Sequence, residues 1–186
     1  MAAALRLTIQ DLEGRPTPLD DQRYELIDGE LSVSTQPHWR HQFSAANIIY
    51  ALAAWSRQNA AGMVLRAPGV VFASDTAVAP EVVRVSKDRL DTVLGEDGKL
   101  HAAPDLVVEL LSPGLENQRR DREAKLSLYS RQGVREYWIK AYANTGSSIG
   151  SIRSCTSTGA AMRGWNWSPP CWRTMCCSRR CSPLSR

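Results

Sequence analysis

The chain has 186 residues, enough for one domain with a substantial core and too few for two comfortable ones. Its 43% hydrophobic and 23% charged residues exclude a disordered or fibrous chain, and no apolar run approaches the roughly 20 residues of a membrane-spanning helix. The formal charge of +4 is uneven: residues 141–186 hold six Arg and no acid, leaving 17 basic and 19 acidic side chains in residues 1–140, so bulk charge gives no argument for nucleic-acid binding.

The N-terminus lacks an apolar signal core, so the chain reads as cytoplasmic with no membrane partner. Thr8 before Ile-Gln-Asp-Leu predicts a helix N-cap, and Gly14 and Pro16 predict the end of that short helix. Tyr24–Ile27 and Glu30–Val33 flank Asp28-Gly29, the pair preferred by a two-residue hairpin turn. From about His38 to Gln58 the pattern is helical, with Phe43, Ile48, Leu52 and Trp55 offered to a core. Met63–Ala67, Gly69–Phe72 and Val82–Val85 read as strands bounded by Pro68 and Pro80.

Leu106–Leu111 is a nearly continuous apolar run, as a central strand covered on both faces requires. Asn117–Gln132 reads as an amphipathic helix with Leu126, Leu128 and Tyr129 for packing, closed by Gly133, and Glu136–Ile139 as a last strand. This order predicts an α/β or α+β domain built on a mixed sheet over residues 1–140.

Residues 141–186 have a different character. They contain all five Cys, no Lys and no acid, and show no helical or strand period. The Cys spacing matches no zinc site. Trp165-Asn166-Trp167 can only be encoded TGG-AAY-TGG, which read two bases further on gives Glu-Leu whichever Asn codon is used. The expectation is a frameshifted, poorly ordered tail beginning near Lys140.

Glu109 is the most informative residue, because it places a carboxylate inside an apolar run. A buried charge must find a metal, a cation or a cleft; a twisted strand that lets Glu109 reach water, or a plain Glu–Arg pair, stays open. Glu81 follows Pro80 at the entry to another strand, and two carboxylates from adjacent strands make the oxygen-rich pocket that Mg²⁺ prefers. Lys125 can stabilise charge on a phosphate or be an ordinary solvated helix residue. Glu25, beside the hairpin turn, is a further candidate ligand, with an exposed strand position as the alternative.

Asp105 shares a strand face with Glu109 and is an additional candidate, balanced by a turn-forming role. Arg119, Arg120 and Arg122 form a basic cluster suited to phosphate contact or simply to a solvated face. His38 and His41 sit at a helix start, where capping or exposure is the ordinary role and metal binding the lesser one. No nucleophile elbow, phosphate loop or dinucleotide fingerprint occurs.

Five blocks together resemble one family: Arg23-Tyr-Glu-Leu-Ile-Asp-Gly-Glu-Leu, Arg40-His-Gln, Val83-x-Val-Ser-Lys-Asp-Arg-Leu, Ala103-Pro-Asp-Leu-Val-Val-Glu-Leu-Leu-Ser-Pro, and Asp121-x3-Lys-Leu-x-Leu-Tyr-x3-Gly-Val-Arg-Glu-Tyr-Trp-Ile. They resemble the Uma-two family of bacterial restriction-endonuclease-like proteins, from about Leu5 to Ile139.

The resemblance implies a restriction-endonuclease-like PD-(D/E)XK core preceded by a helix and a β-hairpin. It puts the metal ligands on Glu81 and Glu109, the Lys on Lys125 displaced into the following helix, and the hairpin acid on Glu25. Position 111, where the standard motif has Lys, is Leu. The family usually has Asp where this chain has Glu81. The extra methylene moves the carboxylate by roughly 1.3 Å, and a misplacement near 1 Å costs about 100-fold in rate. The family also continues past Tyr-Trp-Ile into further strands, so a tail that replaced them would uncover a sheet edge.

The expected activity is phosphodiester hydrolysis, in DNA by family analogy, by an Mg²⁺- or Mn²⁺-dependent endonuclease; a homodimer is left open. The rivals are a catalytically impaired nucleic-acid- or protein-binding relic of the same fold, and a degraded gene product.

Overall fold

Asp28 and Gly29 adopt φ of 53° and 78°, the two positive angles of the turn that matches strand twist. They join β1 (Arg23–Ile27) to β2 (Glu30–Ser34) in the expected register, Ile27 opposite Glu30. The computed structural model describes residues 6–13, 22–111, 123–141 and 152–156, with backbone alone at 111, 141 and 152–156. At its start, Thr8 caps α1 (Ile9–Glu13): the Asp11 N–H donates to Thr8 Oγ1 at 3.3 Å and the Thr8 N–H to Asp11 Oδ2 at 2.7 Å.

Helix α2 (Trp39–Gln58) runs as expected, its N-terminus capped by His38 Nδ1, which accepts from the Arg40 N–H. Its buried face keeps the expected Ile48 and Leu52 and differs at Phe43. His41, Ala45, Ile48, Leu52 and Ser56 point inward, while Phe43 is 64% exposed and shares the outer face with Trp39 and Tyr50. Two of these inward positions, Ala45 and Ser56, are small, which lets the helix lie close on the sheet there.

Strands β3 (Met63–Arg66), β4 (Val70–Ala73) and β6 (Val82–Val85) follow the sequence reading. β5 (Thr76–Val78) does not: three residues after a turn are too few to show a period. A single 3₁₀ turn (Lys87–Arg89) and α3 (Leu90–Val93) lead towards β7 (Leu106–Leu111). Next come α4 (Lys125–Arg131, the described part of the expected 117–132 helix), β8 (Glu136–Ala141) and β9 (Ile152–Thr156).

The strands form two sheets, ordered β2-β1-β5-β4 and β3-β6-β7-β8-β9. The second is mixed: β7 and β8 are parallel, as a crossover through α4 requires, and its other pairs are antiparallel. β9 belongs to the stretch expected to be poorly ordered, yet it pairs with β8.

Alternation along β7 divides the core. Leu106, Val108 and Leu110 pack with Ala45, Ile48 and Leu52 of α2. Val107 faces the other way, into a cluster with Val83, Val85, Leu128, Tyr129, Tyr137 and the first sheet's Val70 and Val78. Each buried Val or Leu contributes about 1.5–3 kcal/mol. Period 2 therefore carries Glu109 to the second side, towards α4 and the hairpin sheet. Among the described residues no helix is long and apolar enough to cross a membrane.

Candidate active site

Glu109 is 3% exposed. Its Oε1 accepts from Lys125 Nζ at 2.9 Å and from the Tyr129 hydroxyl at 2.8 Å. Lys125 and Tyr129 are four residues apart, one helical turn, so both project from the same face of α4. The hairpin sheet supplies the third element: Glu25 Oε1 accepts a second bond from Lys125 Nζ at 2.9 Å and one from the Ala79 N–H at 3.0 Å. Arg131, at the far end of α4, pairs with Asp28 at the hairpin tip and holds β1 against the helix.

Glu81 joins through the strand register. Val82 lies opposite Val108 in the antiparallel β6–β7 pair, so one step further Glu81 falls beside Glu109. It is 5% exposed. Its Oε1 accepts from Arg23 Nη1 at 2.6 Å and lies 3.6 Å from His41 Nε2. Arg23 also donates to the Ala79 carbonyl at 3.2 Å. Arg23 and Glu25 are two apart on β1 and point the same way, so the Ala79 peptide orders both.

Electrostatics bind these groups together. Burial works against the Arg23 charge, but Glu81, with Glu25 and Glu109 behind it, outweighs that effect and raises its pKa. Burial also pushes the Tyr129 phenol well up, helped by Glu109 and Glu25, so Tyr129 stays protonated and donates.

The structure thus brings Glu25, Glu109 and Lys125 into direct contact and sets Glu81 alongside. Asp105, held as an additional candidate, does not join them. It is buried at the other end of β7, where its carboxylate takes the Ser86 N–H at 2.7 Å, Arg89 at 3.0 Å and Arg135 at 3.1 Å. That is the work of a structural tie between β6, α3 and β8. Arg119, Arg120 and Arg122 lie outside the described residues.

Two neighbours, Tyr129 and Arg23, were not singled out as site residues from sequence, and a third, His41, was weighed with capping or exposure as its ordinary role. Tyr129 was read as packing alone, although its spacing of four from Lys125 was a usable signal. Arg23 shares a strand face with Glu25 by simple alternation. His41, set aside as capping or exposed, is 2% exposed beside Glu81.

The donor set of Glu25, Glu81 and Glu109 consists of hard carboxylate oxygens, the type Mg²⁺ and Mn²⁺ take. Among the described residues, however, no group of three or more His, Cys, Asp or Glu is already arranged around a common metal position. The carboxylates are bonded to Lys125 and Arg23 instead. The donor chemistry fits a divalent ion; the arrangement requires a cation of the chain to yield.

The family model described as "Uma2: Putative restriction endonuclease" matches residues 9–145. Among solved structures, the chain is similar to a "putative nuclease belonging to DUF820" from Anabaena variabilis, with a TM-score of 0.59 and 16% sequence identity. That likeness covers 73% of this chain and 74% of the other, and at such identity it establishes the fold. No curated protein matches the chain in sequence.

Proposed function

The chain belongs to the Uma2 family, and on that premise we propose that it is a metal-dependent endonuclease that hydrolyses phosphodiester bonds, with DNA as substrate. The observation that carries the reading is the meeting of Glu25, Glu109 and Lys125 from three separate elements in one buried cluster, with Glu81 beside it. A stable fold has no need of three buried carboxylates in one place, since each costs several kcal/mol to desolvate.

In this reading Glu81 and Glu109 hold the metal, with Glu25 as a further ligand or a base that orients water. When bound, a divalent ion would supply Lewis-acid stabilisation of the attacked phosphate and make water a better nucleophile. Lys125, buried and bonded to both Glu25 and Glu109, supplies the cationic group of the cluster that would face the charge of the attacked phosphate. Tyr129 fixes the Glu109 rotamer from below.

The test is cleavage of supercoiled plasmid with Mg²⁺ or Mn²⁺ by the full chain and by Glu109→Ala. Cutting by the parent chain, reduced at least about 100-fold in the variant, supports the assignment. Metal-dependent cutting that persists in Glu109→Ala refutes it.

A second reading, a binding relic of the same fold, is favoured by Arg23 sitting on Glu81 where an active metal site needs an open ligand. Glu81→Asp discriminates, because recovered cleavage marks an impaired enzyme and continued inactivity with retained DNA affinity marks a binding module.

A further inference from the structure

Among the described residues, the two cations of the cluster are held very differently. Lys125 is 2% exposed and bonded to two carboxylates, Glu25 and Glu109, each at 2.9 Å. The Arg23 side chain is 31% exposed and bonded to one carboxylate, Glu81, and one carbonyl, that of Ala79. Moving Lys125 would break both of its ion pairs and empty a buried position. Moving Arg23 breaks one ion pair and swings a long flexible stem into water, where its charge is readily solvated.

Charge balance points the same way. Among the described carboxylates and cations, Glu25, Glu81 and Glu109 against Lys125 and Arg23 leave one excess negative charge. Adding a divalent ion to that set would leave one excess positive charge. Adding it while Arg23 departs leaves none, and low-dielectric sites favour neutrality.

We propose that Arg23 is a displaceable counter-ion: it holds Glu81 in the metal-free chain and leaves for solvent when a divalent cation binds. This rests on the metal-dependent reading above, and adds to it that the chain carries its own competitor for the metal. Apparent metal affinity is then lower than the three carboxylates alone would give, because each binding event must first release Arg23.

The experiment is Mn²⁺ titration of the full chain by calorimetry, without nucleic acid, comparing the parent with Arg23→Met and Glu109→Gln. Arg23→Met keeps an apolar stem and removes the charge. It is expected to bind Mn²⁺ about tenfold tighter than the parent, with Glu109→Gln losing binding. Equal or weaker binding by a folded Arg23→Met, with Glu109→Gln still defective, overturns the counter-ion role and leaves the nuclease reading in place. No Mn²⁺ binding by either the parent or Arg23→Met overturns both.

A second readout needs no variant. Phenylglyoxal labelling of Arg23 in the parent chain, read by mass spectrometry, is expected to rise several-fold when Mn²⁺ binds. Unchanged labelling in a sample whose calorimetry shows bound Mn²⁺ overturns the proposal.

Discussion

Asp105 and Glu109 look alike in sequence, two carboxylates on one strand face four residues apart, and the fold gives them opposite tasks. Asp105 is wrapped by the Ser86 N–H, Arg89 and Arg135, and Glu109 by Lys125 and Tyr129. For Asp105, burial alone would raise the pKa, but the Ser86 N–H and Arg89 more than offset it and the net shift is downward. The sign of the linkage follows. A depressed folded pKa stabilises the fold above the unfolded value, and that stability drains away as pH falls below about 3.8 towards the folded value. Asp105→Asn should therefore be less stable than the parent at neutral pH and lose less on acidification. Urea midpoints from pH 7 to pH 3 check this, and parallel curves for the two proteins would remove Asp105 from the acid limb. The sequence could not separate the two residues, because it shows a carboxylate in an apolar run but not which cations the fold brings to it. Arg23 and His41 were hidden for the same reason, since both reach Glu81 only across tertiary contacts.

Element by element, the legible parts were those written in local chemistry. Asp28-Gly29 gave the hairpin because both positions need positive φ. The run 106–111 announced a strand covered on both sides, and α2 packs on one of them. Helix α2 itself was legible as a helix and, at Ile48 and Leu52, in its facing, but was misread at Phe43. Hydrophobicity offered Phe43 to the core along with Ile48 and Leu52, whereas contact with β6 and β7 took Ala45 beside those two and left Phe43 outside. Large aromatic side chains on that side would hold the helix off the sheet. The two positions make a paired prediction. Leu52, 1% exposed, should cost about 2–5 kcal/mol when changed to Ala, through lost burial and the cavity left behind. Phe43→Ala, at 64% exposure, should stay within about 0.5 kcal/mol. Denaturant unfolding of both variants decides it, and a large loss from Phe43→Ala would mean that another surface covers this face of α2.

At the scale of the whole molecule, the acid-free composition after Lys140 and the strand β9 within it call for one account. Strand pairing is made by backbone N–H and C=O groups, so it demands little of side-chain identity. A stretch read in a shifted frame can still pair with an open edge, as Ile152–Thr156 does with β8. We propose on this ground that the tail is frameshifted and that β9 nonetheless extends the sheet past β8, where the family's own strands would. β8 lies next to β7, and β7 carries Glu109, so the edge that β9 covers is one strand away from the candidate site. Without β9 the outer backbone groups of β8 would face water and template pairing with another chain. Ending the chain after residue 141 should therefore raise self-association, read by light scattering at increasing concentration, and lower the unfolding temperature. If the shortened chain stays monomeric and melts where the parent does, covering β8 with β9 contributes nothing, and the sheet ends at β8 without penalty.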